Sequence, residues 1–177
     1  MKIILIGNYL SDKQESMLRF ADMLDSGFKE IEIKSEIWYP TEFFGKLLPI
    51  KKLKKWVDYL DKWILFPFVL RLKILKEKKT NKDLRFHICD HSNAPYLHFL
   101  PKSKTSITCH DVLAIRGAFG FEDAFCPSSK FGRILQKWIL HNLSNSKKIA
   151  FVSYFTKNQF LELSNANKNQ NRKVIHN

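Results

Sequence analysis

The stretch Lys2-Ile3-Ile4-Leu5-Ile6-Gly7 decides the fold. Its apolar residues are continuous rather than alternating, so both faces of a strand built from them must be covered, the condition of a parallel strand inside an α/β sheet. Ser11-Asp12-Lys13-Gln14 follows with capping-box spacing. Met17, Phe20, Ala21 and Leu24 then share one helical face, and Gly27 supplies a stop. From Phe28 to Trp38, isoleucines alternate with charges, which predicts a half-buried second strand. Strand, helix and strand in this order predict a right-handed crossover unit.

The same alternation recurs down the chain. Strands are predicted at 84–89, 105–109, 148–152 and 173–175, and helices at 130–143 and from the Ser153 cap to about Leu163. Ile134, Leu135, Trp138 and Ile139 form the apolar face of the former. Ser92 or Asn93 can cap a short helix whose first turn holds Pro95. The fold class is α/β: a Rossmann-like open parallel sheet of about six strands with helices on both faces. Residues 1–177 read as a single domain, with 51–79 as a basic amphipathic helical insertion. Within it Leu53, Trp56, Val57, Leu60 and Ile64 share one face with lysines on the other, and Pro67 breaks the helix.

Hydrophobic residues make up 45% of the sequence, which excludes wholesale disorder. Lys and Arg outnumber Asp and Glu by 13, a surface suited to an anionic partner. The excess is uneven. Residues 12–42 hold eight acids and four bases, whereas 46–79 hold eleven bases and three acids. Cys89, Cys109 and Cys126 form no CxxC pair, which points to a reducing compartment and a cytoplasmic protein. Met1 to Gly7 is too short an apolar stretch for a signal peptide, and the run Trp63 to Leu70 is far below the roughly twenty residues that span a bilayer.

In such a sheet, ligands sit beyond the carboxyl ends of the strands. The loops there carry Asn8-Tyr9, Asp90-His91-Ser92-Asn93, His110-Asp111 with Arg116 and Gly117 further on, and Ser153-Tyr154. His110 can act as a general base, a proton donor or a sugar-hydroxyl ligand, or serve only to hydrogen-bond its own turn. His87 and His91 have helical metal-pair spacing but straddle a strand end, where that spacing is lost, so no metal is expected. Cys89 and Cys109 read as core thiols. The sequence has no P-loop, nucleophile elbow or GxGxxG.

Three pieces of these strand-and-loop units resemble the N-terminal half of GT-B glycosyltransferases, in particular the family-four-like group. They are Ile3 to Tyr9 leading to the helix around Gln14 to Ala21; Phe86 to Asn93, followed by Thr105 to Asp111; and Lys148 to Lys157. The resemblance implies transfer of a sugar from a nucleotide-sugar donor to an acceptor saccharide or lipid-linked acceptor, with retained configuration and no metal or other cofactor. It gives His110 the place of the family's strand-end histidine facing the transferred sugar, with Asn8, Asp90, His91 and Arg116 on the acceptor side. It also implies that most donor contacts belong to a second domain absent from this chain, which alone is then inactive. Val174 to Asn177 matches the strand and turn before the interdomain linker. Asn8-Tyr9 stands where many members have a glycine-rich turn. The alternative is a non-catalytic membrane- or partner-binding module on the same fold.

The basic block admits three readings. Its lysines can be the solvated face of a packed helix. Lys51, Lys52, Lys54, Lys55 and Trp56 can instead lie on an anionic membrane surface, making the protein peripheral on the inner face. Nucleic acid is the third reading, and it is not adopted, because no helix-turn-helix, zinc-finger or RNP pattern accompanies the lysines.

Overall fold

A computed structural model describes residues 1–47, 53–164 and 170–176. Six strands form one open, all-parallel sheet in the order β2-β1-β3-β4-β5-β6, flanked by helices in a Rossmann-like arrangement. The strands are β1 (Lys2–Ile6), β2 (Lys34–Trp38), β3 (Leu84–Ile88), β4 (Thr105–Cys109), β5 (Lys148–Phe151) and β6 (Asn171–Val174). The contacts along the chain fall into two compact units, Met1–Cys89 and Asp90–Asn177.

In the first unit β1 lies between β2 and β3, with Ile4 opposite Glu36 on one side and Phe86 on the other. Ile4, Leu5 and Ile6 are fully buried, each contributing about 1.5–3 kcal/mol of transfer free energy. Helix α1 (Glu15–Glu30) packs Phe20, Ala21, Leu24 and Phe28 against Ile3, Leu5 and Cys89. The predicted capping box does not form: the N-cap is Gln14, and Ser11 instead donates to Glu42 at 2.7 Å. Gly27 does not stop the helix either. It faces open space, and the chain turns only beyond Glu30, where Glu32 takes a φ of 58°. Phe28 is therefore helical, and β2 begins at Lys34.

After β2 come a short helix α2 (Phe44–Leu47), then α3 (Lys54–Leu60), a π-helical segment (Asp61–Leu65) and α4 (Phe66–Thr80). The backbone stays right-handed helical through Leu60, Leu65 and Phe66, so Pro67 does not break this helix. The proline sits in the first turn of α4, directly after the π turn, which alters the hydrogen-bond ladder it would otherwise interrupt. The expected apolar face is also corrected. Val57 is buried, but Leu53, Trp56, Leu60 and Ile64 point to solvent.

The π turn presents Asp61, whose side chain is wholly buried. Its carboxylate accepts from the backbone N–H groups of Phe43, Phe44 and Gly45 at 3.0–3.1 Å and from the Tyr9 hydroxyl at 3.0 Å. Burial first, then this bond, push the Tyr9 phenol well above its ordinary pKa. Lys62 reaches back to Asp12 at 2.6 Å. On the sheet side, Lys73 lies over the Trp38 ring at 5.1 Å, and Lys2 bridges Glu36 and Glu77.

In the second unit β4 pairs with β5, placing Ile107 opposite Ile149, and β5 pairs with β6. A 3-10 helix (His91–Phe99) packs on α6 (Lys130–Ser144), and α7 (Tyr154–Leu163) stacks Phe160 on Phe151 of β5 at 5.4 Å. The 3-10 helix is capped by Asp90 rather than by Ser92 or Asn93. A helix α5 (Leu113–Phe119) occupies the region expected to be loop. On α6, Ile139, Leu140 and Leu143 are buried, whereas Ile134 and Trp138 of the predicted face are exposed.

Asp61→Ala leaves three backbone N–H groups without their acceptor and the Tyr9 hydroxyl with only its longer contact to Asp58, and is expected to cost about 3 kcal/mol. Tyr9→Phe removes one donor and should cost about 1 kcal/mol. Urea midpoints of the two variants check both values, and equal losses would show that the amide contacts contribute nothing.

Candidate functional site

In the second unit, polar side chains lie at Asp90–His91 and where β4, β5 and β6 end. Asp90 and His91 directly follow β3 and are nearly inaccessible. The Asp90 carboxylate accepts from the Ser92 N–H at 3.3 Å and from the Ser92 hydroxyl, which fixes the first turn of the 3-10 helix. His91 Nδ1 lies 2.9 Å from Asp90 Oδ1, a pair that is ionic when the ring is protonated. Burial of the ring opposes protonation. The Asp90 charge, with a smaller contribution from Asp111, more than offsets this and raises the His91 pKa above 6.5.

His110 and Asp111 follow β4. His110 is half-buried. Its carbonyl accepts from the Thr156 hydroxyl at 3.1 Å, and Thr156 also pairs with Ser153 at 3.0 Å. Ser153 in turn caps α7 by accepting the Thr156 N–H. The backbone beneath His110 is thus pinned to the start of the next helix. Asp111 is exposed and accepts from the Leu113 N–H at 3.0 Å, opening α5. The Cys109 thiol donates to the Asp111 carbonyl, and burial pushes its pKa well up, leaving an inert core thiol.

Arg116, on α5, turns to other partners. It forms a bidentate pair with Asp123 at 3.1 and 2.8 Å, reaches Glu162 at 2.6 Å, and lies 4.2 Å over the Phe121 ring. Glu162, first, and then Asp123 raise its pKa, so the charge is fixed. Both carboxylates are half exposed, which limits each pair to about 1 kcal/mol. The guanidinium ties α5 to α7 and to the loop after it, and a ligand would have to displace one of these partners. Sequence reading missed this role because both partners lie outside any recognisable motif.

Asn8 belongs to the first unit, where it follows β1, is buried and donates to Gln14. Neighbouring Gly7 lets Tyr39 approach: a Cβ at residue 7 would fall 2.5 Å from that ring. Tyr9 points into the Asp61 cluster. The turn after β1 is therefore filled by the protein's own aromatic rings, which accounts for the absence of a glycine-rich turn. Of the expected membrane-surface residues, Lys54, Lys55 and Trp56 are exposed on α3, with Lys54 paired to Asp58, and Lys51 and Lys52 lie outside the described residues.

At this edge of the second unit, Tyr154 has a partner that carried no sequence signal, His176. The Tyr154 ring, largely exposed, lies 6.0 Å from the His176 ring just beyond β6. A pocket of about 380 Å³ in the same unit lies at the opposite, amino end of β4 and β5, where His98, Lys102, His141 and Lys147 line it. Among the described residues no three His, Cys, Asp or Glu side chains are grouped to hold a metal ion.

His91 gives a pH signature. Its folded pKa is raised above the unfolded value near 6.5, so its contribution to stability is fully present below about pH 6.5 and is lost as pH rises through the folded value. In an NMR titration the His91 ring is expected to have a midpoint above 6.5, and Asp90→Asn should lower it, because burial then acts with less opposition. A native midpoint at or below 6.5 would contradict the pairing.

Comparison with protein-family models, with curated proteins and with solved structures returned no match, so the sheet and its strand-end cluster are the basis for any functional reading.

Proposed function

We propose that this chain is the acceptor-side half of a glycosyltransferase, which moves a sugar from a nucleotide-sugar donor to an acceptor saccharide or lipid-linked acceptor. The observation that carries this reading is the placement of His110. It directly follows β4, stands at the carboxyl edge where an open parallel sheet takes ligands, and is half-buried on a backbone whose carbonyl is held by Thr156. An imidazole at such a place can hydrogen-bond a sugar hydroxyl or pass a proton.

In the reaction, the bond from the anomeric carbon to the diphosphate oxygen breaks and one to the acceptor oxygen forms. The acceptor hydroxyl loses its proton and the nucleoside diphosphate leaves. The family resemblance gives His110 the orienting of the sugar and assigns Asp90 and His91, and separately Asn8, to the acceptor side. Arg116 is the weakest member of that set, because its donors already have protein partners. Retention and independence from metal follow from the family resemblance alone. Donor and acceptor must be held against each other between two walls, so the 177 residues by themselves are expected not to turn over. A second reading, a binding module without catalysis, draws its support from the exposed helix face of the first unit.

His110→Ala tests the proposal in a protein completed with a donor-binding domain. The rate is expected to fall by about 10²-fold or more, while stability changes by no more than about 0.5 kcal/mol. A destabilised variant with full activity per folded molecule would assign His110 to loop tethering instead. Sugar transfer by the 177 residues alone would overturn the requirement for a second wall.

A further inference from the structure

Trp56, Leu60, Ile64, Phe68, Leu72 and Leu75 are 42–65% exposed along the helix formed by α3, the π segment and α4. In a straight α-helix each four-residue step overshoots a full turn by about 40°, so a row spaced this way would wind around the surface. The π segment at 61–65, with its i→i+5 bonding, turns less per residue than an α-helix and so acts against that drift before Phe68. The buried Asp61 carboxylate anchors that turn. The result is one apolar stripe about 28 Å long.

The charge beside the stripe has one sign. Residues 54–80 hold eight bases and three acids. All three acids are occupied internally: Asp61 as described, Asp58 by Lys54 and Tyr9, and Glu77 by Lys2 and Asn81. Lys55, Arg71, Lys76, Lys78 and Lys79 are exposed. An apolar line with basic flanks suits a surface that is apolar below and anionic above. A second copy of the chain would bring like charges together along the whole stripe. No helix among the described residues is long and apolar enough to cross a membrane.

We propose that this stripe seats the first unit on a lipid bilayer bearing anionic headgroups, with Trp56, Ile64 and Phe68 inserted at the headgroup boundary and the lysines over the phosphates. The proposal does not depend on glycosyl transfer.

The test is co-sedimentation of the full chain with phosphatidylcholine vesicles containing 30 mol% phosphatidylglycerol, and with pure phosphatidylcholine, beside light scattering of the free protein. Binding is expected to the anionic vesicles and to be at least about tenfold weaker on neutral ones. It should weaken in 1 M salt, where the screening length falls to about 3 Å. Ile64→Glu with Phe68→Glu should reduce it by at least about tenfold while the circular dichroism spectrum and melting curve stay unchanged. Lys76→Gln, Lys78→Gln and Lys79→Gln together should weaken it less. Absence of binding to anionic vesicles, or binding indifferent to the two glutamates, overturns the proposal. So does a dimer that the two glutamates dissociate, which would identify a second copy as the occupant.

Discussion

A strand covered on both faces leaves little room along its length for a large polar side chain. β1 shows the constraint in its simplest form, with Ile4, Leu5 and Ile6 all inaccessible and Asn8 just past its end. β4 admits only the small hydroxyls of Thr105, Ser106 and Thr108 along its length, and His110 stands just past its end. Whatever chemistry the chain has is driven to the strand termini, and the sheet collects there what the sequence scatters over many residues. The Asp90–His91 pair, the Thr156 clamp under His110 and the Tyr154–His176 contact are all products of that displacement.

The strands were therefore legible. β1 is short, continuously apolar and ended by Gly7, and β3 alternates buried Leu84, Phe86 and Ile88 with polar residues, patterns that a strand satisfies. Strand-end residues could be read for the same reason. Helix boundaries were less so, because they depend on partners distant in sequence. Ser11 has the right spacing to cap α1, yet Glu42 takes its hydroxyl. Gly27 is a permissive residue in a helix that has no need to end there. Arg116 looked like a loop cation, and its commitment to Glu162 rests on a contact between residues 46 apart.

The basic helix shows how a local rule fails when a tertiary contact outweighs it. Periodicity put Val57 on one face with Leu53, Trp56, Leu60 and Ile64, and Pro67 at a break. Asp61 reverses both. Three backbone amides and the Tyr9 hydroxyl bind one carboxylate inside the unit, and this is compatible with the π turn that leads into Pro67. Once Asp61 faces inward, Leu60 and Ile64 are left outward. The hydrophobic signal in the sequence was real, but it described a surface.

Gly117 carries a different kind of consequence. A Cβ there would stand 2.3 Å from the Cys126 carbonyl, a backbone atom that cannot swing aside as a side-chain end can. Any other residue must push the 121–126 loop outward, and that loop holds both Phe121 and Asp123 against Arg116. A single hydrogen atom in place of a methyl group thus keeps an ion pair between residues seven apart closed beside α5. Sequence drift at this position is barred by space alone, whatever the loop is used for.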